Sequence, residues 1–414
     1  MGRISDSLFK NKDRYYQDEI VKQNKRRLPT LPKIGVDSFC NNYYVDMHNT
    51  IISGGSVKNR AIAEYSLIRR AQQLGLPIVV VHSGNRYMKS GVELNYQSGD
   101  IGYYDPLIGK DSDSFADILT DLASNLLQSG NDLFGLWALV ADILLMQDEP
   151  ITLARLASFR CTDIPQVLAD MAGAGTISSE QRFEYTNRYG SVNSSIHEAQ
   201  RVLAKLKFLP SPPEGAELCS LEDILSAGGI ASIDIISDTN DVFKEICFAD
   251  IDRVMKQGRN FLLIVENLSF LKRESHVDNV LLRNSGNMSL LFAADDVPSM
   301  TQESDEHFQT LVSGQTNIMI LNHSSAASAR KWSDYLGQQY VTQVERNTGT
   351  SKENTSLLKK TNSSGITVKE ERRDIVPPES ITRLLDYQSY VLEAKEHQIL
   401  KVAIQENAQR GLEQ

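Results

Sequence analysis

The chain has 414 residues, 41% of them hydrophobic and 23% charged, with a net charge of −10. That length is long for a single core and allows two domains, or one domain carrying a large insertion. The acidic balance excludes a uniformly basic nucleic-acid-wrapping surface, while leaving room for a local basic patch or pore lining.

Cys40, Cys161, Cys219 and Cys247 are far apart and form no CxxC or Cys/His ligand spacing. Free thiols in a reducing cytoplasm are therefore expected, and a zinc site is not. The N-terminus has no apolar stretch of signal-peptide length, and no window approaches the roughly 18 apolar residues of a spanning helix. Any membrane association is expected to be indirect.

In chain order, residues 1–32 form a polar arm with basic clusters at Lys22, Lys25, Arg26 and Arg27. Residues 33–111 are the expected first part of an α/β domain. Within them Tyr43 to Val81 reads as strand, tight turn, helix, strand. Thr50, Ile51 and Ile52 are a short β-branched run, Ser53 to Ser56 a Gly/Ser turn, and Ile62, Tyr65, Ile68 and Ala71 recur at helical spacing. Ile78 to Val81 is a second apolar strand.

From residue 112 to 209 the pattern turns helical, with apolar positions such as Phe115, Ile118, Leu119 and Leu122, so an all-helical insertion is expected there. After Pro210-Ser211-Pro212-Pro213 the α/β rhythm returns over 210–346. Short apolar runs alternate with amphipathic helices, as in a parallel sheet covered on both faces. Residues 347–373 are polar and low in aromatics and read as a flexible linker, and 374–414 as a C-terminal element packing on the core.

The turn after the first strand stands where a phosphate loop, GxxxxGK[ST], would stand. Such a loop uses glycines so that backbone N–H groups can face phosphate oxygens, a lysine for the β/γ-phosphates and a hydroxyl for magnesium. With Lys58 as that lysine, Ile52 replaces the first glycine, Val57 the glycine before the lysine, and Asn59 the hydroxyl. Gly54, Gly55, Ser56, Lys58 and Asn59 are the remnant. The plainer reading is a strand-to-helix turn with a solvated lysine.

The partner of a phosphate loop is a buried strand ending in two acids, one for magnesium and one for the attacking water. The strand Phe261 to Leu268 has Val265 at the first position and Glu266 at the second. Magnesium thus loses both expected supports while the candidate base Glu266 remains. Taken alone, Glu266 reads more simply as a carboxylate that caps or pairs locally at a sheet end. His48, His82 and His323 fall near strand ends in no ligand spacing and read as hydrogen-bonding residues.

The order of these segments resembles the type IV secretion coupling ATPases, the TraG/TraD class of the FtsK/HerA superfamily. The resemblance rests on HNTIISGGSVKNRAIAEYSLIRRAQQLGLPIVVV, YDPLIG before the helical stretch, FLLIVENLSFL, RNSGNMSLLFAADDVPSM and the segment ending at Leu336-Gly337. It implies a RecA-like P-loop core interrupted by an all-α domain, in a hexameric motor. Against the family's pattern, the sensor glutamine is replaced within Ala293-Ala294-Asp295-Asp296, and N-terminal membrane helices are not expected.

Three failures in nucleotide handling lead to the expectation of a pseudo-ATPase, a cytoplasmic scaffold or adaptor in a secretion or conjugation machine. No cofactor is then required. Its partners would be homologous ATPase subunits and other machine components, reaching the inner face of the membrane through them. One alternative is an active ATP- and Mg2+-dependent DNA or protein translocase using Glu266. The other is a nucleotide-independent module that binds cargo, relaxase or DNA. For it, Arg182, Tyr185 and Arg188 in EQRFEYTNRYG interleave basic and aromatic side chains suited to phosphate binding and stacking.

Overall fold

The computed structural model describes residues 49–82, 103–127, 133–147, 149–207, 209, 212, 214–235, 242–266, 280, 288–301, 304–313, 316–352, 360–386, 388–394 and 398–403. The polar arm 1–32, Cys40 and His48 lie outside them.

The β-branched run becomes β1 (Thr50–Ser53), followed by α1 (Val57–Gln73) and β2 (Ile78–His82). Helix α1 stops at Gly75, whose φ of +67° suits a residue without a Cβ. There the Leu76 N–H donates to Ala71 O at 2.9 Å, the reversed bond of a Schellman cap. Strand β3 (Tyr103–Tyr104) then leads into six α-helices. These are α2 (Ser112–Leu127), α3 (Phe134–Leu145), α4 (Leu153–Ser158), α5 (Ile164–Ala174), α6 (Ser179–Ser191) and α7 (Ile196–Leu206). The return strand β4 (Leu218–Cys219) pairs in parallel with β3, so the chain leaves and rejoins the core at one two-stranded neck.

Helix α8 (Leu221–Ser226), β5 (Ile230–Asp234), α9 (Val242–Lys256), β6 (Phe261–Glu266) and β7 (Met288–Ala294) follow. After them come α10 (Val297–Thr301), α11 (Asp305–Val312), β8 (Asn317–Ile320) and α12 (Ala326–Leu336). The C-terminal part holds β9 (Gln338–Lys352), β10 (Lys360–Asp374), α13 (Pro378–Thr382), β11 (Gln388–Leu392) and β12 (Ile399–Ala403).

The central sheet has eight strands in the order β12-β11-β8-β1-β7-β6-β2-β5. Strands β8 to β5 are mutually parallel, β11 runs antiparallel to β8, and β12 runs antiparallel to β11. The fold class is thus α/β with a mainly parallel sheet, as the apolar runs predict. Alternate residues divide the sheet into two faces. Ile52, Val80, Ile264, Leu291 and Met319 face the side covered by Ala63, Ile68 and Ala71 of α1. Ile51, Val79, Val81, Val265 and Phe292 belong to the opposite core, which runs without a break into Phe115, Trp137 and Leu203 of the helical segment.

That shared core surrounds a buried polar knot at the neck. Lys110 Nζ lies 2.8 Å from Asp250 and 3.0 Å from Glu222, and Tyr104 donates its hydroxyl to Asp250 at 2.9 Å. Arg253 pairs with both acids. Burial pushes the Lys110 pKa down and the Asp250 pKa up, and each charge partly restores the other. Asp105 accepts N–H bonds from Leu107 and Leu153, both at 2.9 Å, and so pins the start of the helical segment to α4.

One expectation is overturned. Residues 347–373, read as a flexible linker, belong largely to β9 and β10, which pair antiparallel from Gln338↔Asp374 to Lys352↔Lys360. A Ser-, Thr-, Asn- and Gly-rich composition carries no apolar period, and that absence mimics a linker.

Breaking one partner of a buried charge pair leaves the other uncompensated. Lys110→Met is therefore expected to destabilise the fold by about 3–5 kcal/mol. Lys110→Met combined with Asp250→Leu should recover part of that loss in urea denaturation. Equal or greater loss in the double variant would show that the knot is not a coupled unit.

Candidate functional site

The turn between β1 and α1 is only Gly54, Gly55 and Ser56. Both glycines have positive φ, +86° and +72°. Neither has room for a side chain, since a Cβ on Gly54 would sit 2.7 Å from Asn322 O and one on Gly55 2.7 Å from the Leu321 side chain. Ser56 caps the helix by accepting the Asn59 N–H at 3.3 Å.

The backbone dipoles of this turn are already committed. The Gly54 N–H donates to Ala294 O at 2.9 Å, and the Gly55 N–H to Asn322 O at 2.7 Å. The carbonyls point at a cation: Arg60, one turn into α1, donates Nη1 to Gly54 O at 3.1 Å and Gly55 O at 2.8 Å. Arg60 is 0% exposed, and its Nη2 pairs with Asp295, just past β7. A phosphate loop turns N–H donors inward towards an anion. Here those two donors face neighbouring carbonyls and the two carbonyls face a guanidinium.

Of the remnant residues predicted from sequence, Lys58 and Ser56 are exposed, whereas Asn59 is buried and donates Nδ2 to Asp386 at 3.4 Å. The C-terminal segment seals the same place. Asn322 donates its amide to Thr382 O at 3.3 Å and Leu384 O at 2.6 Å, while its own carbonyl holds Gly55. Arg60 and Asn322 escaped sequence reasoning, and Asp295 entered it only as part of the replaced sensor position. The signal was a buried-face arginine at the fourth position of a helix whose first turn has no acid to pair with.

Glu266 ends β6, is 2% exposed and stands in register with Ala293 and with His82. Only β7 stands between β6 and β1 in the sheet, so Glu266 lies one strand away from the turn. His82 Nε2 lies 2.9 Å from the Ser232 hydroxyl. His323 joins a second polar chain, in which Trp332 Nε1 donates to Ser53 Oγ at 2.9 Å and that oxygen lies 3.0 Å from His323 Nε2. Both histidines therefore have hydrogen-bonding roles.

The basic and aromatic residues of EQRFEYTNRYG lie on α6, opened by a capping box between Ser178 and Gln181. Arg182 is exposed and Phe183 is 70% exposed. Arg188 instead turns to Asp142 of α3 at 2.8 Å, with its guanidinium 5.3 Å from the Tyr185 ring. Cys161, Cys219 and Cys247 are free and buried, and among the described residues no cluster of three or more His, Cys, Asp and Glu could hold a metal. Among them, too, no helix is long and apolar enough to cross a membrane.

The sheet order and the loop-first βαβ unit define a RecA-like P-loop ATPase fold. Within that class the fold is of the type IV coupling-protein kind. The type IV secretion-system coupling protein DNA-binding domain family matches residues 255–405. The unbound monoclinic form of the bacterial conjugative coupling protein TrwBΔN70 is similar, at 15% identity over 93% of this chain and 91% of that one, with a TM-score of 0.52. Its trigonal form with sulphate gives 13% identity over 92% and 91%, with a TM-score of 0.50. TrwB in complex with a GTP analogue gives 14% over 92% and 91%, also at 0.50. No curated protein sequence matches.

Two outcomes are expected. Gly54→Ala, which combines a strained φ with a backbone clash, should cost about 2 kcal/mol in denaturant unfolding, and a neutral result would mean the turn is not packed as described. The second concerns His323, 1% exposed, whose pKa burial pushes down from 6.5 to about 4 against a partial upward pull from Asp296. The unfolded chain takes up a proton that the folded chain refuses, so this contribution is whole above pH 6.5 and fades as pH falls towards 4. Between pH 7.5 and 4.5 His323→Asn should lose about 2–3 kcal/mol less stability than the parent. Parallel pH profiles would contradict it.

Proposed function

We propose that this chain is a coupling-protein-like scaffold or adaptor in a type IV secretion or conjugation machine, with a nucleotide site closed to ATP. The observation that carries the reading is the reversed polarity of the β1–α1 turn. Its two glycine N–H groups are bound to Ala294 and Asn322, and its carbonyls hold Arg60. Two further features support it. Asn59, at the position of the magnesium hydroxyl, is tied to Asp386, and Val265 stands where the first acid of the strand would be.

Under this reading no ATP or Mg2+ is required, and Glu266 is a structural carboxylate at a sheet end. The retained α/β core serves assembly. Partners are homologous ATPase subunits and other components of the machine, which would bring the chain to the inner face of the membrane from the cytoplasm. The domain division follows the sequence: an α/β core in two parts, 33–111 and 210–346, with a helical insertion over 112–209.

Thermal unfolding with and without millimolar ATP–magnesium tests the reading. A ligand that binds only the folded chain adds about 2.7 kcal/mol of stability at a hundredfold excess over its dissociation constant. No shift is expected. An upward shift that disappears in Lys58→Ala would overturn the proposal and leave a motor with divergent motifs.

A further inference from the structure

Strands β9 and β10 form a sheet of their own, two strands wide and 15 residues long. A two-stranded hairpin is marginal in water, because no third strand or helix covers it. Both outer edges carry a row of backbone N–H and C=O groups with no strand beyond them among the described residues, the pattern that invites a further strand. Near the base of the ribbon, charge tells the two edges apart.

The direction of those backbone groups follows from one bond. The Ile375 N–H donates to Gly337 O at 3.0 Å, one step before Gln338↔Asp374 in the antiparallel ladder. A hydrogen-bonded pair turns its N–H and C=O groups towards each other, and the next pair turns them away. Counting along the register, Gln339, Val341 and Gln343 bond to β10, whereas Gln338, Tyr340, Thr342 and Val344 turn their backbone groups to the outer edge of β9. On β10 the outward residues are Val368, Glu370, Arg372 and Asp374.

The β10 edge is guarded. Lys369, Glu370, Glu371, Arg372, Arg373 and Asp374 are charged in succession, and all but Asp374 are exposed. A two-fold axis through any of these residues would set a charge against its own copy, and opposed like charges are destabilising. The β9 edge has no such guard. From Gln338 to Val344, QQYVTQV, no residue is charged, Tyr340 is 60% exposed, and Tyr, Val and Thr are the residue types that favour strands.

We propose that the base of β9 pairs antiparallel with the base of β9 in a second copy of this chain, about a two-fold axis at Val341. In that register Tyr340 of one copy stands opposite Thr342 of the other, Gln338 opposite Val344, Gln339 opposite Gln343, and Val341 opposite itself. Every opposed pair is uncharged, and the aromatic and β-branched residues fall against one another, which is the favourable cross-strand pattern. The outward residues make four hydrogen-bonded pairs, about eight N–H···O bonds in all. The product is a four-stranded sheet, β10-β9-β9-β10, whose two charged strands lie outermost and resist further addition. A two-fold contact of this kind is closed and uses the same patch on both copies. It is independent of the nucleotide reading, since no residue of the β1–α1 turn takes part.

The experiment is sedimentation equilibrium of the full chain at micromolar concentrations. The parent is expected to dimerise. Val341→Lys and Val341→Glu each place like charges on the axis and should weaken the dimer about tenfold, while an equimolar mixture of the two should restore it as a heterodimer. Restoration by mixing also shows that both variants are folded. Mild oxidation reads the register. Val341→Cys should give a disulfide-linked dimer, because opposed residues on the axis have Cα atoms about 4.5 Å apart. Gln343→Cys, which stands opposite Gln339, should not, and nor should the parent with its own cysteines. A monomeric parent, a dimer or higher oligomer indifferent to Val341→Lys, a mixture that fails to reassociate, or equal cross-linking at 341 and 343 would overturn the proposal.

Discussion

One buried guanidinium organises the front of this molecule. Arg60 is carried on α1 yet serves the turn that precedes it, taking two carbonyls from Gly54 and Gly55 and a carboxylate from Asp295. A cation 0% exposed is tolerated only when oxygens replace its lost water, and the turn supplies them by presenting its carbonyl side. The glycine N–H groups must then find acceptors elsewhere, which they do on the ends of the flanking strands β7 and β8. Loop, helix and both neighbouring strands are thus one electrostatic unit.

The second unit is the neck. Two strands of two residues each would not hold six helices to a sheet by backbone pairing alone. Continuity of the core does that, with Lys110, Asp250, Glu222, Arg253 and Tyr104 selecting one arrangement at the junction. A small rotation of the helical segment would unpair several of these groups at once.

Much of this was legible in the sequence, for physical reasons that differ by segment. Thr50-Ile51-Ile52 and Phe261 to Val265 are β-branched or wholly apolar, which only a strand buried on both faces explains, and the helical stretch shows its period plainly. The degenerate turn was legible as a departure from GxxxxGK[ST], but the reason it departs was not. Arg60 meets Asp295, Ser53 meets His323 and Trp332, and Asn322 meets Leu384 only through sheet pairings that bring distant stretches side by side. The ribbon was missed because hydroxyl-rich composition resembles a linker, although Tyr340, Thr342 and Val344 already alternate at strand period near its base.

The position of β1 in the sheet has a consequence for how the chain is made. Its two neighbours, β7 and β8, begin at Met288 and Asn317, more than two hundred residues downstream of Thr50. At about 5–20 residues per second, a ribosome needs on the order of tens of seconds to deliver them. Throughout that interval an apolar strand with two unpaired edges has left the tunnel without a native partner. Nascent chains are therefore vulnerable to wrong pairing at β1, and chaperone demand falls on the stretch around residue 50 until β7 and β8 are made.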